Sequence, residues 1–367
     1  MTERVVILGA GVVGAAIAYE LSRLKKFEIT ILDTGSPAEG STGAALGVLM
    51  GIISRKTKGR AWTLRRRSME RFPELLAELA AAGQPVPHNP HGILKLIREP
   101  EELEKGDRLR EIRQASGWEL AVWDQGTIQQ QCPQVQAENI AGGIFSPQDF
   151  QVQPVPLTKA LLAVAQQNGV RCQFGVAQPM LQCQGQRCQQ VVTEQAAYPC
   201  DWLIVSAGLG SLEITKSLTE TLSLGPVLGQ AFQLRVSLDL EIPQTFQPVV
   251  SFEDVHVVPL GQGEYWVGAT VEFPDDTGEI SSDEDLAQAV LRKAIAFYPV
   301  LKKAEIVRHW SGKRPRPNGQ GAPVLKGLAG YENILLATGH YRNGVLLAPA
   351  TALTICDWLL APEAIAF

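Results

Sequence analysis

Arg4-Val5-Val6-Ile7-Leu8-Gly9-Ala10-Gly11-Val12-Val13-Gly14 opens the chain, and its reading decides the fold. Five residues dominated by β-branched and apolar side chains read as a buried strand, and the glycines break it. An apolar helix pattern runs on to about residue 24, and a second strand follows at 28–33, ending on Asp33. This is a βαβ unit with G-x-G-x-x-G at its first turn. Gly9 allows the tight turn, Gly11 brings backbone close to a pyrophosphate, and Gly14 lets the helix pack on the sheet. The residues between them, Ala10, Val12 and Val13, place N–H groups at the positive end of the helix dipole. Asp33 stands where a carboxylate accepts hydrogen bonds from ribose hydroxyls. Motif, strand, helix and terminal acid together predict a bound dinucleotide.

Working outward, residues 35–51 are crowded with small side chains, among them Ser41, Thr42, Ala44, Ala45 and Gly47, followed by Val48 and Leu49. Such a segment lets backbone run along an extended cofactor; the plain alternative is a flexible loop. Two more apolar strands end in small residues, at Ser206-Ala207-Gly208 and Ala337-Thr338-Gly339. Each brings backbone to the carboxyl edge of a parallel sheet. A long ligand held at three strand ends favours FAD over a mobile nicotinamide cofactor.

Helices are expected at about 61–82, 101–116, 157–168 and 282–297, with a last one ending near 360. Strand-like runs at 231–237, 248–252, 255–260, 264–271 and 304–311 lack long helices between them and suggest an antiparallel sheet. The pattern alternates α/β with antiparallel pieces. It predicts an α/β (α+β overall) architecture: a Rossmann-like FAD-binding domain assembled from 1–85, 146–225 and 326–367, with a mainly antiparallel substrate domain from 86–145 and 226–325.

The 367 residues carry a net charge of −5, so nothing electrostatic argues for nucleic acid. No leader pattern precedes the first strand and the apolar run at 345–361 is interrupted by polar residues, so the cytoplasm is the default location. Six cysteines, none in a C-x-x-C pair, read as reduced thiols with no metal site. Arg55, Lys56, Lys58, Arg60, Arg65, Arg66, Arg67 and Arg71 crowd one segment. It reads as a solvated helix face; the sharper reading is a dock for an anionic membrane surface or an acidic electron-accepting partner.

The stretches Val5–Asp33, Ser41–Leu49, Leu203–Ser211, Gly312–Pro317 and Ala337–Thr351 resemble the FAD-dependent amino acid oxidases of the glycine oxidase, sarcosine oxidase and D-amino acid oxidase type, above all the glycine oxidases of bacterial thiamine biosynthesis. The tail Gly339-His340-Tyr341-Arg342-Asn343-Gly344-Val345-Leu346 is the most specific motif. The resemblance implies that Gly9, Gly11, Gly14 and Asp33 hold the ADP half of FAD, that 41–47 follows the pyrophosphate and flavin, that Val176 meets adenine through its backbone, and that the loop before the last helix surrounds the flavin. It further implies that Arg314 clamps a substrate carboxylate and that Arg342 lies beside flavin and substrate. Two departures stand out. His256 falls where the compared enzymes carry tyrosine, which leaves the substrate open. No cysteine lies between Arg314 and Gly330 to attach a flavin, so the FAD is expected to be non-covalent.

The chemistry asks for alignment and polarisation more than for acids and bases. Arg314 offers a carboxylate a two-point bond, in a loop stiffened by Pro315 and Pro317. His256 would accept a bond from the amine or contact the carboxylate. Gly344 to Leu347 open the last helix, whose dipole favours negative charge on the reduced cofactor, with Pro349 in its first turn. The expected reaction is oxidative deamination of glycine, sarcosine or a D-amino acid, with oxygen as acceptor; a dehydrogenase feeding a quinone or carrier protein and a non-catalytic nucleotide-binding module are the alternatives. Homo-oligomerisation stays open.

Overall fold

The computed structural model of the protein describes residues 2–136, 138–216, 218, 222–237 and 246–365. Its first sheet has six strands in the order Val324–Gly327, Ile334–Thr338, Trp202–Val205, Glu3–Leu8, Phe27–Asp33 and Arg171–Phe174. All neighbours are parallel except the first pair. The central strands read as continuous apolar runs because both faces are covered, as parallel sheets require. Helix Val12–Leu24 packs one face together with helices Pro154–Gln167 and Gly344–Leu360.

The second sheet has eight strands. Glu305–Pro317 is its edge, followed by Leu224–Arg235, Glu264–Gly268, Val255–Gly261, Val249–Phe252, Ile93–Ile97, Gly142–Ser146 and Ala121–Trp123. Only Val249–Phe252 and Ile93–Ile97 pair in parallel; the other neighbours are antiparallel. The sheet therefore joins chain segments more than a hundred residues apart. A mixed α/β fold results, with one largely parallel and one mainly antiparallel sheet, as expected from the sequence.

Three expectations need correction. The Gly312–Pro317 stretch is no loop: the strand expected at 304–311 continues to Pro317 and carries Arg314 inside it. Proline is tolerated there because the strand lies at the sheet edge, where one row of backbone donors needs no partner. Pro349 lies in the second turn of the last helix, which starts at Gly344. Lacking an N–H, it cannot bond the Val345 carbonyl four residues back. A three-stranded sheet, Met180–Gln184, Arg187–Val192 and Ala197–Pro199, was not anticipated at all.

The last helix is the one described helix long and apolar enough to cross a membrane. Its residues Val345 to Ala352 are buried against Val12–Leu24 and Gly59–Ala81.

The basic segment is largely paired within the protein. Arg71, 6% exposed, meets Glu20 at 2.8 Å and Glu78 at 2.5 Å. Arg67 meets Asp357 at 2.7 Å, Arg55 meets Glu102, Arg66 meets Glu70 at 3.7 Å, and Arg60 donates to the Leu325 carbonyl. Arg65 donates to the Ala61 carbonyl. These partners account for six of the eight cations and agree with a structural role for the segment. The loop before it is clamped from both sides. Buried Asp149 accepts from the N–H groups of Gly51, Ile52 and Ile53, while buried Arg113, stacked on Trp62 at 3.6 Å, donates to the carbonyls of Ile52, Ser54 and Lys56.

Candidate active site

A cleft of about 980 Å³ runs from the carboxyl edge of the parallel sheet to the face of the large antiparallel sheet. That is the upper range for small-molecule sites and suits a dinucleotide plus a small substrate. At one end the Gly9–Gly14 turn is fixed from several sides. Gly9 donates to the Leu32 carbonyl at 2.8 Å, and its φ of +107° is open only to glycine. Ala10 donates to Asp33 Oδ2 at 2.5 Å and Gly35 to Asp33 Oδ1 at 2.9 Å, so the strand-ending acid also organises the turn. A Cβ on Gly14 would collide with the Gly9 carbonyl and lie 2.7 Å from Ser206 Oγ. Helix and strand therefore meet at contact distance.

The small-residue segment does more than leave room. Thr42 Oγ1 accepts from Val12 N–H at 3.1 Å, capping the helix that faces the cleft. Ser41 Oγ donates to the Lys313 carbonyl at 2.6 Å, and Trp310 Nε1 donates to the Ala44 carbonyl at 3.1 Å. The segment is thus sewn to the edge strand of the second sheet. Gly9, Gly11, Val12, Val13, Asp33, Ser41, Thr42, Ala44, Ala45, Gly47, Val48, Val176, Ala207, Gly208, Gly339, His340, Tyr341, Arg342, Gly344, Val345 and Leu346 all line the cleft. Ala10, Gly14, Leu49 and Asn343 do not; the first two shape the turn and Leu49 is a core residue. Val176 spends its own N–H on the Asp33 carbonyl at 3.1 Å.

At the other end the antiparallel register builds a pocket. Trp310 pairs with Ala231, Ala231 with Gly268, and Gly268 with His256. The row has a floor of small residues between two ring-bearing walls. Along the edge strand, Arg308, Trp310, Gly312 and Arg314 recur every second residue and so share one face. Arg314 lays its guanidinium over Gly229, with Nη1 donating to the carbonyls of Leu228 at 3.0 Å and Thr270 at 3.1 Å. These bonds use only Nη1, which leaves Nη2 and Nε for a ligand. No described carboxylate pairs with it. Burial and the neighbouring Arg342 hold its pKa below the ordinary value, yet a guanidinium remains cationic. Arg342 itself touches Asp254 at a loose 3.4 Å, at the mouth.

A Cβ on Gly229 would occupy the space of the Arg314 guanidinium. Gly229→Ala is therefore expected to displace the clamp while leaving every charge in place, raising KM for a carboxylate substrate at least tenfold. Steady-state kinetics on the FAD-replete variant checks this; an unchanged KM means the guanidinium position is immaterial.

His256 also lines the pocket. Burial first, then Arg342, lowers its pKa to about 4, so the ring is neutral. Its Nδ1 is buried without a partner. A buried lone pair is tolerated better than a buried orphan N–H, so the proton belongs on Nε2. The ring then presents a donor, suited to an oxygen of the substrate rather than to its amine. His340 is buried, with Nε2 2.9 Å from Thr351 Oγ1, and burial pushes its pKa to about 3.

Both histidines titrate below their unfolded value of 6.5. Between those limits the unfolded chain binds protons that the folded chain does not. Their stabilisation is complete above pH 6.5 and is lost as pH falls toward 4. Replacing His340 by asparagine is expected to flatten the fall of Tm over that window. Parallel slopes for the two proteins in thermal melts would contradict the assignment.

Trp310, Arg308 and Gly229 were missed by sequence reasoning, although the alternation from Arg308 to Arg314 was there to be read. The prolines suggested a loop and hid the period of two. Among the remaining histidines, His88 Nδ1 meets the Val86 carbonyl, His91 Nδ1 accepts from Gln247 N–H, and His309 stacks on Phe232 at 4.5 Å. They are structural.

The cleft fits FAD: bare backbone at Gly9–Gly14, a helix N-terminus facing it, Asp33 at one end and a second helix start at Gly344–Leu346 at the other. The comparisons agree. The model of the family described as FAD dependent oxidoreductase (DAO) matches residues 4–358. The chain is 32% identical over 365 residues to the bifunctional protein ThiO/ThiG of a Synechocystis strain, covering 98% of this chain and 52% of that protein. It thus spans about half the length of the first curated relatives it matches. It is 26% identical to the glycine oxidase of Geobacillus kaustophilus over 97% of this chain and 93% of that one. The crystal structure of glycine oxidase from Geobacillus kaustophilus superposes with a TM-score of 0.86 at 25% identity, covering 100% of this chain and 99% of the other. With its nucleotide cleft and these likenesses in place, the chain belongs to the FAD-dependent oxidoreductases of the DAO family.

Proposed function

We propose that this protein oxidises the C–N bond of a small amino acid carboxylate, such as glycine, sarcosine or a D-amino acid, to its imine, which water hydrolyses to an oxo acid and ammonia. The observation that carries this reading is Arg314, a guanidinium without a carboxylate partner, tethered by two carbonyls over Gly229 beside the cleft. Its free edge grips a carboxylate at two points and fixes the α-carbon's orientation. FAD, when bound, supplies the two-electron acceptor. Trp310 and His256 bound the pocket on either side, with the small residues Gly229 and Ala231 between them. The neutral His256 donates from Nε2 to a substrate oxygen without adding charge near the amine, which must lose its proton before hydride departs. The start of the last helix, at Gly344 to Leu346, directs its positive dipole end into the cleft and favours negative charge there.

The glycine oxidase and ThiO/ThiG relatives support this substrate class and a place in thiamine biosynthesis. Oxygen is the proposed acceptor, giving hydrogen peroxide, and the cytoplasm the proposed location. The test is an anaerobic titration of the FAD-loaded protein with glycine, sarcosine, D-alanine, D-proline and their L-forms, followed by the visible flavin band. Bleaching by one of them, and peroxide on admitting air, is expected. A flavin that none of them bleaches overturns the substrate class; bleaching without peroxide overturns oxygen as acceptor.

A further inference from the structure

Three of the six thiols are brought together far from the substrate pocket, in the small sheet that the sequence did not announce. Cys183 and Cys188 are directly opposed on antiparallel strands. Opposed residues share a face, with Cα atoms roughly 4.5–5.5 Å apart, inside the span a disulfide accepts. Cys200 Sγ lies 3.9 Å from Cys188 Sγ. Cys183 is exposed, whereas Cys188 and Cys200 are 1% and 4% exposed. The three sulfurs therefore form a path from solvent into an apolar cluster. That cluster also holds Val176, Leu8 and Leu32 behind the Asp33 end of the cleft.

We propose that Cys183, Cys188 and Cys200 constitute an oxidative modification site, in which hydrogen peroxide reacts at the exposed Cys183 and the oxidation ends as a buried Cys188–Cys200 disulfide. In the first step the Cys183 sulfur attacks one peroxide oxygen. The O–O bond breaks, Cys183 becomes a sulfenic acid, and the departing hydroxide leaves as water with the thiol's proton. The Cys188 sulfur then displaces hydroxide from Cys183, which takes the Cys188 proton and leaves as a second water. Finally the Cys200 sulfur attacks Cys188, and Cys183 is released as a thiol carrying the proton from Cys200. One peroxide is reduced to two waters and two thiols are oxidised to one disulfide. The order follows from access: Cys188 and Cys200 are buried and Cys183 is exposed, so peroxide meets Cys183 first.

Partial cover of its sulfur pushes the Cys183 thiol up to about 11. The reaction is therefore slow at neutral pH and gains about tenfold per pH unit between 7 and 9, as the thiolate fraction grows. Such a site records sustained oxidant rather than a brief pulse. The inference depends on no substrate assignment.

The experiment exposes the reduced, FAD-loaded protein to hydrogen peroxide, blocks remaining thiols with an alkylating agent and maps tryptic peptides without reduction. Trypsin cuts after Arg187, so a Cys183–Cys188 bond joins two peptides whereas a Cys188–Cys200 bond closes a loop within one. The expected result is the intrapeptide loop with Cys183 alkylated. Cys183→Ser, a change at an exposed position, is expected to slow loop formation at least tenfold. Cys200→Ser is expected to arrest the reaction as the linked peptide pair. Alkylation of both Cys188 and Cys200 after Cys183 has passed to sulfinic or sulfonic acid overturns the site. An unchanged rate in Cys183→Ser overturns the route.

Discussion

Replacing Arg314 by alanine is expected to lower kcat/KM for an amino acid by roughly 30-fold to several thousand-fold, while the protein stays folded and keeps FAD. Truncating one partner of a desolvated charge pair costs about 2–5 kcal/mol, much of it from leaving the other charge without its partner. Here the loss falls on the substrate carboxylate, because Arg314 bonds only backbone carbonyls within the protein and no described acid depends on it. Arg314→Lys restores the charge without the planar fork and should recover only part of the rate. An amine lacking the carboxylate serves as control, since its slow oxidation should be indifferent to both variants. If alanine leaves kcat/KM for the amino acid intact, the carboxylate is held elsewhere, and Arg342 with its loose Asp254 contact becomes the alternative clamp.

Replacing Gly9 by alanine is expected to abolish FAD retention. A Cβ there would lie 2.7 Å from Ala207 Cα and 2.8 Å from the Ser206 carbonyl carbon, and neither is a flexible side-chain end that swings aside. The backbone at φ +107° adds strain that only glycine avoids. Overpacking costs about 1–3 kcal/mol, and the strain about as much again. The strands that carry Leu8 and Val205 must move apart, and with them the N–H groups aimed at the cleft. The measurement is the ratio of flavin to protein absorbance after gel filtration, with Gly321→Ala, where a Cβ meets nothing within 4 Å, as reference. A Gly9→Ala protein as yellow as the reference contradicts the packing argument.

The nucleotide half of the site was legible because backbone chemistry leaves a local mark. Gly9, Gly11 and Gly14 stand at fixed spacing beside a strand and a helix, and Asp33 ends the next strand. The pocket half was not local. Trp310, Ala231, Gly268 and His256 become neighbours only through the register of four strands, which no short stretch reveals. Gly229 carried no signal in the sequence, and its meaning comes from a guanidinium placed over it by a residue 85 positions later. Arg314, named by resemblance, lines the cleft from inside a strand rather than from a loop, since Pro315 and Pro317 had hidden the alternation that precedes them. The cluster of arginines read as a solvated helix face, and its partners could not be named because its acids, Glu20, Glu78, Glu102 and Asp357, are scattered along the chain.

The stitching of Ser41 to Lys313 and of Ala44 to Trp310 couples the two halves of the site. The segment that lines the nucleotide cleft and the strand that carries Arg314 are tied together, so a shift in either moves both. His256 is exempt: it sits on a different strand, its Nδ1 bonds nothing, and its ring carries no charge. Exchange of that residue leaves the ties between the two segments untouched.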